Sequence, residues 1–305
     1  MIAFVFPGQG AQVPGMLCAA AVLPGAAAVI AQAGAALGRD LLADDTAAGY
    51  AANETTQRAL YVAGIASARA LIAAGVQPDA VAGHSVGAYA AAVIAGALDF
   101  DDGLALVDAR GRAMAAAFPA GYGMGAISGR DEPQVAALAA RVAQRGEPVY
   151  AANVNARDQI VVAGAASAVD ATLAAAQAAG ARSARRLNVD VPSHSPLMNP
   201  VVAVLDHALP APRVTAARIP YAANISGRLV RDARRIRADL VGNIAHPVRW
   251  ADATDALYEM GIRLFIEMRP GRVLTDLAAA NFPDARAIAL ETSGLDSAIA
   301  LAATQ

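Results

Sequence analysis

The sequence predicts an α/β protein: a large domain on a parallel sheet, interrupted by a ferredoxin-like small subdomain. Three observations carry this. Apolar, strand-forming runs at 2–6 and 80–82 each end in a glycine-bearing turn at which the strand stops. Between 121 and 189 the order reads β-α-β-β-α-β, the ferredoxin-like arrangement. Beyond 190, helical stretches again alternate with short apolar runs at 221–225, 263–268 and 285–290. Residues 1–120 and 190–305 are therefore assigned to the large domain and 121–189 to the inserted subdomain. A cleft between the two is the expected ligand site.

Composition narrows the class. The chain has 305 residues, is 56% hydrophobic, and carries a net charge of -2, so a large core is affordable and no basic excess suggests nucleic acid. Cys18 is the only cysteine, which excludes an internal disulfide and leaves no cysteine-rich metal site; it reads as a small apolar residue. The start, 1–6, is uncharged and runs straight into Pro7-Gly8, too short for a signal peptide or a membrane span. A cytoplasmic enzyme with no metal is the expectation.

Taken in order, strand 2–6 opens into Pro7-Gly8-Gln9-Gly10-Ala11-Gln12. This loop lacks the Gly-Lys-Ser/Thr ending of a phosphate loop. Gln9 either serves chemistry at the strand end or satisfies backbone groups of the loop. Helical sequence with breaks follows to about 74, with a start at Asn53-Glu54-Thr55-Thr56-Gln57 and an end at Gly75. The strand at 80–82 leads into Gly83-His84-Ser85-Val86-Gly87, then helix-forming 88–95 closed by Gly96. Asp99 begins another helix, 104–118, bearing Arg110 and Arg112. At about 100° per residue these two point in nearly opposite directions, so at most one can face a pocket beside Ser85. In the subdomain, strand-like 122–127, 149–154, 159–163 and 184–189 alternate with helical 132–144 and 165–179. Afterwards come the loop Pro192-Ser193-His194, a helix to about 209, a strand at 221–225, the solvated charge run 231–237, and a helix after Trp250.

Gly83-His84-Ser85-Val86-Gly87 is a G-x-S-x-G pattern in the strand–turn–helix setting of a nucleophile elbow, which makes the large domain α/β-hydrolase-like. Such a serine needs a base. His84 is too close in the chain to face its neighbour's hydroxyl and is assigned to the elbow or the pocket; His207 falls in a helix and His246 in a turn before Pro247. His194, in a proline-bounded loop after a strand, is the candidate base. Asp190 could orient it, or could be a surface charge. The backbone N–H of Val86 is the natural first oxyanion donor, with a second from the Gln9 loop.

Pro7–Gln12, Gly83–Gly87, Arg110-Gly111 and Pro192–His194, in this one order, resemble the malonyl-CoA:acyl-carrier-protein transacylase family over nearly the whole chain. The resemblance implies that Ser85 is the acylated nucleophile, and that His194 is general base and then general acid. It implies that Gln9 and the Val86 amide form the oxyanion hole and that Arg110 binds the free carboxylate of a malonyl group. Asn243 would offer its backbone carbonyl to His194, which removes the need for Asp190. Malonyl-CoA is then a substrate, a carrier protein's prosthetic thiol is the acceptor, and no cofactor, nucleic acid or membrane is involved. Residues 118–124, 243–250 and 264–271 look most like the malonate decarboxylase branch, whose epsilon subunit primes a small carrier with malonyl; His246 is the departure that favours this branch. The fatty-acid enzymes are the alternative branch, and a serine thioesterase or esterase the alternative chemistry. Arg182, Arg185 and Arg186 form a basic cluster that either receives an acidic carrier or is a solvated face.

Overall fold

The computed structural model describes residues 1–118 and 120–304. Strand β1 (Ile2–Phe6) is followed by three helices, α1 (Met16–Ala21), α2 (Ala26–Leu37) and α3 (Asn53–Ala73). Strand β2 (Ala80–Gly83) then leads to α4 (Gly87–Ile94) and α5 (Phe100–Ala117). A second group comprises β3 (Tyr122–Ser128), α6 (Glu132–Ala143), β4 (Val149–Ala156), β5 (Gln159–Ala165), α7 (Ala166–Ala178) and β6 (Ser183–Arg186). The rest is α8 (Asn199–Ala208), β7 (Tyr221–Ala222), β8 (Leu229–Val230), α9 (Ala233–Gly242), α10 (Trp250–Met260), β9 (Leu264–Glu267), α11 (Val273–Asn281), β10 (Arg286–Ala289) and α12 (Leu290–Ala302).

These strands build two sheets. One has the order β10-β9-β1-β2-β7-β8 and is parallel except for β8, which returns beside β7 as a hairpin. The other is antiparallel, ordered β4-β5-β3-β6. Its core of Ile127, Val135, Leu138, Ile160, Val162 and Val169 is separate from the clusters around the parallel sheet.

The centre of the large layer is α3, in which every residue from Thr55 to Ala68 is buried. The burial includes the polar run Thr55-Thr56-Gln57-Arg58. Arg58 is 1% exposed and donates to Asp108 on α5 over 2.7 Å, so an ion pair makes the burial tolerable. No Asn53 cap is formed: α3 starts from Ala52 with no side-chain cap. The helices of the second sheet follow their local signals more closely, Asp131 and Gln134 forming a reciprocal capping box on α6. The small strands are shifted from their expected ends: β4 runs on to Ala156 and β6 stops at Arg186. Cys18 is exposed, not a core residue, its α1 face turning outward. None of the described helices is long and apolar enough to cross a membrane.

The register of the parallel sheet places the chemistry. Phe6 pairs with Gly83, so the loop after β1 and the turn after β2 leave the sheet side by side. Ala82 pairs with Ala222, so the segment after β7 emerges on the other side of the same turn. The antiparallel sheet is tied on from above: Val154 donates to Val248 O over 2.8 Å, and Val248 returns to Ala152 O over 2.9 Å. Arg249 closes the same seam by donating to both carboxylate oxygens of Glu132 over 2.7 Å.

Candidate active site

Ser85 stands on a left-handed turn, φ 55°, and His194 has φ 62°; no other non-glycine residue among those described has a positive φ. Such backbone costs about 1–2 kcal/mol per residue, so the fold must over-determine both positions. The two glycines of the elbow explain how. A Cβ on Gly87 would lie 2.3 Å from Phe6 O, and one on Gly83 2.1 Å from the Gly87 carbonyl carbon. Only glycine lets α4 start directly against β1 while the turn folds back on β2.

The Ser85 hydroxyl has two partners. His194 Nε2 is 2.7 Å from Ser85 Oγ, and Arg110 Nη2 donates to the same oxygen over 3.0 Å. His194 Nδ1 lies 2.7 Å from the backbone carbonyl of Asn243. A carbonyl can only accept, so Nδ1 carries the proton and Nε2 is free to take the one on Ser85. Asp190 is exposed and makes no bond to His194; the carbonyl occupies the place an acid would take. The loop is fixed by His194 N–H donating to Ile244 O over 2.7 Å and by Ser195 Oγ donating to Pro192 O. Burial, then the Arg110 charge, lowers the His194 pKa to about 3, so the imidazole is neutral.

Arg110 is 0% exposed and forms no ion pair among the described residues; its Nε has no partner. Its guanidinium lies over the Tyr89 ring at 5.9 Å and also donates to Gln57 Oε1. Burial lowers its pKa. Arg112, two residues on, is exposed and pairs with Asp108 over 3.0 Å, so α5 sends its two arginines opposite ways.

The Gln9 side chain is tied to α3. Its carboxamide is not free for an oxyanion, because Nε2 donates to Asn53 Oδ1 over 2.8 Å and Oε1 accepts from Gln57 over 3.1 Å. The backbone N–H groups of Gln9 and Val86, by contrast, have no protein acceptor among the described residues. His84 turns away from Ser85: its Nε2 is 3.0 Å from Asn155 Oδ1, its ring packs on Trp250 at 5.5 Å, and burial lowers its pKa. A cavity of about 30 Å³ remains at Ser85, lined also by Met124 and Asn153 of the antiparallel sheet. That is room for a water beside the hydroxyl.

Arg182 and Arg186 are already engaged, with Asp158 and Asp170, whereas Arg185 has no ion pair among the described residues. His246 does not line the Ser85 cavity; its Nδ1 is 2.8 Å from Gly242 O, and the ring caps the end of α9. Sequence reasoning missed Gln57 and Asn224. Gln57 reads as part of the capped start of a helix and Asn224 as part of a short strand at 221–225, and neither reading points to a site.

A polarised serine, a neutral imidazole and two unpaired N–H groups are equipped for acyl transfer, and the chain is an acyltransferase: residues 3–292 match the acyl transferase domain family. It is 39% identical over 305 residues to the malonyl CoA-acyl carrier protein transacylase of Escherichia coli K12, covering 95% of this chain and 98% of that one. The malonyl CoA-acyl carrier protein transacylase of Coxiella burnetii superposes with a TM-score of 0.91 at 35% identity, covering 98% and 96% of the two chains. A malonyl-transacylase solved in complex with its type II polyketide acyl-carrier protein gives 0.92 at 36%, covering 98% and 99%. The chain belongs to the malonyl-CoA:acyl-carrier-protein transacylase family.

Proposed function

We propose that the protein transfers malonyl from malonyl-CoA to the thiol of an acyl carrier protein through a malonyl-serine at Ser85. The observation that supports this most is Arg110, a fully buried guanidinium without a counter-ion among the described residues, 3.0 Å from the Ser85 hydroxyl. Holding such a charge out of water costs on the order of several kcal/mol, which an anionic substrate would offset. The free carboxylate of a malonyl group suits it, since a guanidinium binds a carboxylate by two parallel hydrogen bonds.

The steps follow from the bonds. As the carboxylate engages Arg110, its charge also offsets the one that depresses His194, and the imidazole gains basicity. His194 Nε2 takes the Ser85 proton while Oγ attacks the thioester carbon. The oxyanion is placed to receive the N–H groups of Val86 and Gln9, the backbone of Gln9 acting in place of its side chain. The C–S bond breaks, and CoA leaves with the proton from His194. The carrier thiol then gives its proton to His194, attacks the malonyl ester, and Ser85 recovers its proton as the C–O bond breaks.

The acceptor is read as a fatty-acid-type acyl carrier protein. The decarboxylase carrier was expected from the likeness of residues 118–124, 243–250 and 264–271 together with His246, whose ring serves the end of α9. The relatives are named for transfer to an acyl carrier protein, which favours that alternative. Residues 121–189 are read as an inserted ferredoxin-like subdomain on an α/β-hydrolase-like domain, supported by the order β4-β5-β3-β6 and its separate core. Carrier docking is assigned to Arg185 first, with Arg182 and Arg186 beside it. The site of action is taken to be the cytoplasm.

The test is intact-mass analysis after mixing with malonyl-CoA. This sequence has no lysine, so no side-chain amine can mimic the adduct. One malonyl should appear on the wild type and none on Ser85→Ala; an adduct that survives the substitution refutes the assignment. Rapid turnover with water alone as acceptor would favour the esterase.

A further inference from the structure

We infer that Asn224 is a positioning residue for the nucleophile, a clamp across the turn that carries Ser85. The inference rests on the acyl-serine reading above. Asn224 is 139 residues from Ser85 in sequence, yet its Oδ1 accepts the Ser85 backbone N–H over 2.9 Å. Its Nδ2 donates to the Gly83 carbonyl over 2.9 Å. One carboxamide thus bridges the two backbone groups that flank the bend, and both bonds are buried, Asn224 being 3% exposed.

The clamp has its own anchor. Asp239 on α9 accepts from the Asn224 N–H over 3.0 Å, the Ile225 N–H over 2.8 Å and the Tyr221 hydroxyl over 2.6 Å. The Asn224 carbonyl accepts from Arg249 N–H over 2.7 Å. With its backbone held at both ends, the side chain has one place to point.

Two consequences bear on the reaction. The clamp opposes relaxation of Ser85 from φ 55°, the conformation that presents Oγ to His194 and Arg110 together. It also occupies the Ser85 N–H, leaving the Val86 N–H as the elbow's unpaired donor. Asn224 touches neither hydroxyl nor acyl group; it acts through the backbone of Ser85.

The experiment is quenched single-turnover acylation of Ser85 by malonyl-CoA, normalised to folded protein. Asn224→Ala should acylate roughly 10²-fold more slowly, since a small misplacement of a nucleophile costs about that much. Malonyl-CoA affinity, measured in a Ser85→Ala background, should be unchanged. Acylation within about threefold of wild type overturns the inference. Should Asn224→Ala not fold, Asn224→Asp decides. Ionised, it repels the Gly83 carbonyl; protonated, it has the shape of asparagine, one oxygen accepting and one O–H donating. Its acylation rate relative to wild type should therefore rise as pH falls from about 8 to about 5, through the range where a buried carboxyl takes up its proton. A merely structural role would lower the melting temperature without that recovery, and a ratio that stays constant with pH overturns the clamp. Failure of the wild type to form any Ser85 adduct would instead remove the parent reading, so the two failures are distinguishable.

Discussion

Arg110 Nη2 donates to Ser85 Oγ over 3.0 Å, so the buried cation proposed to receive the substrate carboxylate holds the proposed nucleophile itself. On the proposed reading, the malonyl carboxylate replaces the hydroxyl as partner of the guanidinium. An acyl group without a carboxylate has nothing to offer in exchange.

Arg110→Met should therefore lower kcat/KM for malonyl-CoA about 10²-fold or more, the loss typical of one partner of a buried charge pair. Acetyl-CoA should lose far less. The melting temperature should hold or rise, because the variant removes an uncompensated buried charge. Steady-state kinetics with both thioesters and a thermal melt check this; equal losses on both would refute the carboxylate role.

Gln57 joins Arg110 to Gln9, accepting from the first and donating to the second. Gln57→Ala leaves both without that partner in a buried site, a cost of about 1–3 kcal/mol in stability. The KM for malonyl-CoA should rise by about tenfold as Arg110 loses its orientation, with a smaller fall in kcat. A kcat that collapses at unchanged KM would place Gln57 in the chemical step instead.

Acid stability should turn on His194. Its folded pKa, about 3, lies below the ordinary 6.5, so between these values the unfolded chain binds a proton that the folded one does not. Stability from this group is present above 6.5 and falls with decreasing pH by about 1.4 kcal/mol per unit. Glu267 has the opposite sign: burial raises it from 4.5 to about 6, so between those values it favours the folded state as pH falls. The two slopes oppose one another over that window, and the His194 loss stands uncovered below about 4.5. Urea unfolding of wild type and His194→Gln at pH 7, 5 and 4 tests the point; the variant should lose less on the last step, and parallel curves would contradict it.

Carrier recognition should depend on Arg185 more than on its neighbours. Arg182 and Arg186 already face Asp158 and Asp170, and those exposed pairs blunt their fields. Arg185→Glu should raise the carrier KM several-fold with malonyl-CoA kinetics unchanged, and more than Arg182→Glu does. Equal carrier KM values for wild type and Arg185→Glu would make the cluster a solvated face.

Local sequence was enough for the elements whose causes are local. Gly83 and Gly87 mark the elbow because their lack of a Cβ is a steric necessity of that turn, and the opposite headings of Arg110 and Arg112 follow from helical geometry alone. The β-α-β-β-α-β order was likewise readable from alternating periodicity and capping residues. Partners set by register were not. Sequence offered Asp190 as well as a carbonyl for His194, and nothing in either stretch says that Asn243 O lies 2.7 Å from Nδ1. It offered the Gln9 loop as an oxyanion donor without saying which N–H, and α3 packing against the β1 loop ties the carboxamide to Asn53 and Gln57 and leaves the backbone N–H. Asn224 had no local signal, because the role inferred for it arises from Ala82 pairing with Ala222, which brings together Ser85 and Asn224, 139 positions apart. Residue identity determined which chemistry was possible at Ser85, through steric and helical constraints that act over a few positions. Strand pairing decided which groups surround it, since hydrogen-bond register brings together side chains that no sequence spacing relates.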